Sequence, residues 1–384
     1  MKLFQQLLVA PAALGLLSPL SAIASEVNLD AISKYSEDNL EIDGNLFKNN
    51  SPNILLSGGE GLVESDDSTD NGDSTGGFSE TTTASFGVDF LVGAVDGASS
   101  ETTAFSYQMG IGLETSFTGE DALSATIDIG NGAGAAAGAN GLNFDSTGDK
   151  LVLDGLTYTF PLGGSTVMVG DNTDISGVYT GACAYSAFTD YMGNCGTGNS
   201  VGVGGSGATA AISYAFDGGF SLAGGISSPP TEILGKGVES ATTTDGVTTN
   251  GADIYGIEAA YTADSYGVAV AYSDNESSTF WGVNGMYAFD FATISAGVES
   301  EDPGSGDTKT GFFVGLSFPE VGPGTFDVGM GTSANYADSD PEYYTYEASY
   351  SYPINDGMTI TPGVYIKEGT TDETGFAVKT SFSF

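Results

Sequence analysis

Phe105-Ser106-Tyr107-Gln108-Met109-Gly110-Ile111-Gly112-Leu113 decides the fold. Its odd positions are large and apolar, and its even positions are small or polar. A strand sends successive side chains to opposite faces, so this run has one greasy face and one wet face. The alternation recurs in segments centred near 83–93, 104–117, 122–130, 151–160, 165–170, 208–216, 220–226, 253–262, 266–273, 280–289, 291–299, 311–318, 325–331, 343–352, 358–366 and 375–384, weakly at 151–160 and 165–170. Outside the N-terminus, no window approaches the roughly 18 apolar residues a spanning helix needs. In hydrocarbon a chain must satisfy its own backbone hydrogen bonds, and a closed sheet does so without leaving an edge. The expectation is all-β: a transmembrane antiparallel barrel of about 16 strands.

The connectors test this independently. Those after the even-numbered segments are short, such as 217–219, 263–265, Asp290 and 355–357. The odd ones are mostly longer, with three long stretches near 131–150, 171–207 and 227–252. Short turns at one end and long loops at the other fit a membrane barrel with periplasmic turns and external loops. Phe117, Phe160, Phe216, Phe220, Tyr261, Tyr266, Phe289, Phe291, Phe318 and Tyr352 flank the short turns, as an interfacial aromatic girdle would. Pro362 lies inside a segment and predicts a bulge. Small residues on the wet faces, including Gly267, Ala269, Ala271, Gly282 and Gly315, predict a sparsely filled lumen.

Residues 1–24 read as a signal peptide: Lys2, an apolar stretch from Leu3 to Leu20, and Ala22-Ile23-Ala24 as the cleavage site. Residues 25–78 form an acidic, flexible periplasmic segment, and residues 79–384 the barrel. Residues 67–78 contain Asp67, Asn71 and Gly72 in a partial calcium-loop pattern. Thr69 is a poor ligand and Phe78 stands where the bidentate Glu belongs, so no metal site is assigned.

Composition removes whole classes of function. All eight basic residues are Lys, and the chain has no His and no Arg. Without the signal, 7 Lys oppose 50 acids, a formal charge of 7 − 50 = −43. No basic patch exists for nucleic acid. The absence of His removes the usual nucleophile–base pairs and His-ligated metals, so no catalytic residue and no cofactor is assigned. Cys183 and Cys195, in one long loop of an exported chain, point to a disulfide worth up to roughly 3 kcal/mol.

Several stretches resemble cyanobacterial outer-membrane porins of the carbohydrate-selective, OprB-type superfamily. They are Leu156-Thr157-Tyr158-Thr159-Phe160-Pro161-Leu162-Gly163, Tyr350-Ser351-Tyr352 with 356–364, Thr380-Ser381-Phe382-Ser383-Phe384, and the opening 15 residues. The resemblance implies an outer-membrane channel, with iron or inorganic ions among the solutes of some relatives. Residues 25–77 are too short for the S-layer-homology domain and coiled coil usual in that family. Phe384, after Phe376, Val378 and Phe382, resembles the terminal signal read by the barrel-assembly machinery. Family analogy also allows a homotrimer.

If the apolar positions face outer-membrane lipid, then Asp89, Glu114, Asp128, Glu258, Glu299, Asp327 and Glu347 line the lumen against only Lys379. The loop near 171–207 is expected to fold inward as a constriction, bringing Asp171, Asp174 and Asp190. Such a pore passes small hydrophilic solutes and inorganic ions and favours cations. The alternatives are a carbohydrate-selective channel, which the lack of Arg weakens, and an exported adhesin or a structural barrel without an open pore. A β-solenoid adhesin would need a fixed repeat, and none is found.

Overall fold

A computed structural model describes residues 82–97, 103–132, 142, 144, 147–201, 207–228, 243–244, 247–248, 253–332 and 342–384. Two compact units divide the chain, Met1–Phe78 and Ser79–Phe384. The expected signal peptide, acidic segment and partial calcium-loop pattern lie outside the described residues.

The strands are β1 (Thr82–Asp96), β2 (Ala104–Thr115), β3 (Ala122–Gly130), β4 (Val152–Leu162), β5 (Ser165–Thr173), β6 (Gly207–Ala215) and β7 (Phe220–Ser228). A small ribbon follows, β8 (Thr243–Thr244) with β9 (Val247–Thr248). Then come β10 (Ile254–Thr262), β11 (Tyr266–Asp274), β12 (Thr279–Ala288), β13 (Thr293–Asp302), β14 (Lys309–Val321), β15 (Gly324–Thr332), β16 (Tyr344–Asn355), β17 (Met358–Lys367) and β18 (Glu373–Ser383). Ribbon aside, these sixteen strands form one closed barrel in which each pairs antiparallel with its sequence neighbours. The weakly alternating segments at 151–160 and 165–170 are β4 and β5, inside the closed sheet.

Closure joins the two ends of the unit. β1 pairs with β18 from Gly87↔Ser383 to Asp96↔Thr374. Beyond the ladder, Phe86 and Phe384 exchange two backbone hydrogen bonds of 2.9 and 3.0 Å, and their rings stack 5.6 Å apart.

Alternation places the apolar residues outside. On β10, Tyr255 and Ile257 are exposed while Gly256, Glu258 and Ala260 are buried. On β12, Trp281, Val283 and Tyr287 are exposed while Phe280 and Asn284 are buried. Strand lengths of 9 to 15 residues match the roughly 9–11 tilted residues that cross a hydrocarbon core. At the short-turn end the aromatic rings touch in series, as Phe117–Tyr158–Phe160, Tyr214–Phe216, Phe220–Tyr261–Tyr266, Tyr287–Phe289–Phe291 and Tyr350–Tyr352.

The turns follow from local chemistry. Gly163 and Gly164, with φ of 59° and 87°, make the two-residue hairpin between β4 and β5 that needs positive φ at both positions. One expectation is corrected. Register runs unbroken through Pro362↔Val378, so no bulge forms there. The register shifts fall instead at Thr126–Ile127, Gly170–Thr173, Phe318–Val321 and Pro353–Asn355.

The β2–β3 turn is organised by Asp121. Its Oδ1 accepts from the Phe117 N–H, the Thr118 N–H, Ser116 Oγ and Thr118 Oγ1 at 2.7–2.9 Å, and its Oδ2 from Tyr158 OH at 2.7 Å. The Thr118 N–H first, then the Tyr158 hydroxyl, hold this carboxyl well below the usual carboxylate range. A depressed folded-state value contributes stability that is complete above the unfolded value and is lost as pH falls through the folded one. Asp121→Asn should therefore lower the thermal unfolding midpoint at pH 7, and its deficit should shrink as pH drops below about 4. Melts of both proteins from neutral pH downward check this; a deficit that grows on acidification contradicts it.

Candidate permeation site

Thr173 ends β5, and the chain then enters loop three, residues 174–206, of which 174–201 are described. The described part, 174–201, lies inside the barrel. A 3₁₀ turn, Ile175–Val178, opens it, capped by Asp174 Oδ1, which accepts from the Ser176 N–H at 2.8 Å. Ile175 packs among Met168, Ala211 and Ile254 and fills the space left by Gly256.

Beyond Tyr179 the loop runs along β10–β17, and wall side chains meet its backbone. Glu258 Oε1 accepts from the Thr180 and Gly181 N–H groups at 2.7 and 3.1 Å. Asn284 holds both flanks: its Oδ1 accepts from the Ala182 N–H at 3.0 Å, and its Nδ2 donates to Thr197 Oγ1 at 2.9 Å. Ser295 Oγ accepts from the Ala184 N–H at 3.2 Å. Glu299 accepts from Asn199 Nδ2 at 3.1 Å and from the Ser200 N–H.

Glu347 has the fullest set. Tyr185 OH and the Phe188 N–H donate to its Oε1 at 3.0 and 2.8 Å, and the Thr189 N–H and Oγ1 to its Oε2 at 2.8 and 2.5 Å. Burial, then the neighbouring Glu347 carboxylate, pushes the Tyr185 hydroxyl far above its ordinary range, so it remains a donor. Burial and Glu258 do the same to Tyr179.

Wall glycines are the counter-shape of this loop. A Cβ at Gly315 would strike the Tyr185 ring, one at Gly363 the Phe188 ring, and one at Gly297 the Cys195 backbone. Tyr185 lies 4.9 Å from the buried Phe313 ring, and Tyr191 6.2 Å from that of Tyr365. Lys367 Nζ sits 4.6 Å above the Tyr191 ring. Cys183 and Cys195 are joined by a disulfide across 12 residues. Along β10–β17 the small residues therefore receive the loop, which corrects the sparsely filled lumen.

The sequence-derived site residues separate into groups. Glu258, Glu299, Asp327 and Glu347 are 1–3% exposed, the three glutamates lying beneath loop three. Asp327 Oδ1 finds no hydrogen-bond partner. Across the lumen, Glu114 is exposed, while Asp89, Asp128 and Lys379 are half-buried. Asp89 accepts from Gln108 Nε2 at 2.8 Å, and Lys379 pairs in register with Leu91.

Of the three loop acids, Asp174 caps a turn and Asp190 is exposed at the start of the second 3₁₀ segment, Asp190–Gly196. Asp171 is a correction. β5 runs three residues past the visible alternation, so Asp171 lies in the strand, opposite the outward Leu156 and on the face of Val169. Sequence reasoning missed Asn284, Tyr185 and Thr189. The clustering of inward Gly and acids on β10–β17, against inward hydroxyls on β3–β7, was the available signal for where the loop docks.

Glu347→Gln keeps the shape and loses one acceptor oxygen, leaving two buried donors of Thr189 opposed by an amide. Such a loss costs about 1–3 kcal/mol. Hydrogen exchange at the Phe188 and Thr189 amides should quicken by one to two orders of magnitude while the β1–β3 amides are unchanged. Uniform acceleration through the barrel would contradict a local clamp.

No family model matches the chain, and no curated protein matches its sequence. Solved structures match its architecture. The high-pH structure of Pseudomonas putida OprB aligns with a TM-score of 0.59 at 11% identity, over 79% of this chain and 94% of that one. A loop-L8 deletion mutant of OmpT, an outer membrane protein of Vibrio cholerae, aligns with a TM-score of 0.54 at 11% identity, over 79% of this chain and 100% of that one. The shared feature is the closed sixteen-stranded antiparallel barrel.

Proposed function

We propose that the protein is an outer-membrane diffusion channel for small hydrophilic solutes and inorganic ions, with a preference for cations. The observation that carries this is the pairing of an apolar exterior with an interior that holds a folded-in loop against one wall and leaves polar residues on the other. A sheet greasy outside and wet inside is stable only where lipid surrounds it and water fills it. Residues 1–24 then serve as the export signal, residues 25–78 lie in the periplasm, and Phe384 presents the terminal assembly signal.

Preference is set on the wall facing loop three. The three glutamates spent on loop amides are removed from the water path, so Asp89, Glu114 and Asp128, with Lys379 as the local cation, supply the field that ions meet. Asp190 adds to it from the loop. Carbohydrate selectivity is the lesser reading: the strand aromatics that point inward, Phe280, Phe313 and Tyr365, are each buried and offer a sugar ring no exposed face.

Planar-bilayer recordings under a potassium chloride gradient should give stable unitary steps and a reversal potential of cation sign. Neutralising Asp89 and Asp128 together should move that potential toward zero, and Asp171→Asn should leave it near the original value. The preference should fade between about 0.1 and 1 M salt, as the screening length falls from about 10 to about 3 Å. Anion preference, or the absence of steps from folded protein, overturns the proposal.

A further inference from the structure

The two cysteines of the disulfide differ in burial. Cys195 is fully buried, clustered with Tyr185, Met192 and Phe313, with its carbonyl against Gly297. Cys183 is half-buried and lines a cavity of about 400 Å³ between loop three and β10–β12, together with Tyr179, Gly181, Glu258 and Asn284. The bond closes a ring that contains Tyr185, Phe188 and Thr189, the residues held by Glu347. Asn284 brackets the neck of that ring from both sides.

We propose that Cys183 is a thiol-exchange site within the lumen, open to small thiols such as cysteamine. This rests on the channel reading only in that the thiol arrives through water in the barrel. An incoming thiolate attacks Cys183 Sγ, a new sulfur–sulfur bond forms there, and the Cys183–Cys195 bond breaks. The electron pair leaves on Cys195 Sγ, which takes a proton from water. The products are a mixed disulfide at Cys183 and a free thiol at Cys195. Attack at Cys195 would need the loop to leave the wall first.

Exchange opens the ring without removing the Glu347 and Asn284 contacts, so loop three loosens in place. The barrel strands lie outside the ring and keep their ladder. A ring held at its neck by one amide side chain alone should sample wider positions, and the aperture should fluctuate more.

The test uses full-length protein folded in detergent and treated with cysteamine. Mass spectrometry after alkylation of the freed thiol locates the adduct and gives its rate. The expected result is an adduct on Cys183, with the freed thiol at Cys195. An adduct on Cys195, or no adduct until the barrel is denatured, overturns the proposal. In parallel bilayer recordings, cysteamine should raise open-channel current noise. Adduct formation without any channel activity would count against the channel reading and leave the exchange site standing.

Discussion

A backbone laid inside a closed sheet must find partners for its amides, and here those partners are carboxylates of the wall. A buried N–H left unpaired costs about as much as a lost hydrogen bond, and a buried carboxylate costs more unless it is fully engaged. Loop three and β10–β17 solve both problems at once: the glutamates accept, and the loop amides donate. The consequences spread outward. Glycines are required beneath the loop because side chains there would lift it off its acceptors. Opposite the loop, Glu114 stays exposed and Asp89, Asp128 and Lys379 are only half-buried.

The arrangement divides the acids by role. Carboxylates of the same type at equivalent inward positions do different work according to which strand carries them. Glu299 is enclosed by Asn199 and Ser200, whereas Glu114 remains exposed. The large formal charge of the chain is thus a poor guide to the field along the lumen. What counts is the subset that loop three leaves uncovered.

Strand alternation made the barrel legible. Phe105 to Leu113 reads outward and inward without a fault, and β10–β13 follow the same rule over consecutive hairpins. Length asymmetry of the connectors located the turn end. The site was less legible for a physical reason: backbone amides, which carry no sequence signature, are what Glu258, Glu299 and Glu347 recognise. An inward acid reads the same whether water or a loop N–H meets it. Asp171 misled differently, because the alternation fades at Gly170 while the ladder continues to Thr173 through an irregular pairing. Pro362 misled because a missing donor needs no extra residue when its partner strand stays in register.

The pairing of Phe86 with Phe384 makes the final residue of the chain the keystone of the ring. The β1–β18 seam joins positions almost three hundred residues apart, the longest separation in the sheet. Bringing such distant ends together carries the largest loop-closure entropy of any strand pair, and contacts of that span form late. Until the last strand arrives, the sheet is an open ribbon with two unpaired edges, each a template for another chain. Folding is therefore all-or-none at its final step: a chain short by a few C-terminal residues loses part of the seam, and with it the protection that closure gives to every other strand.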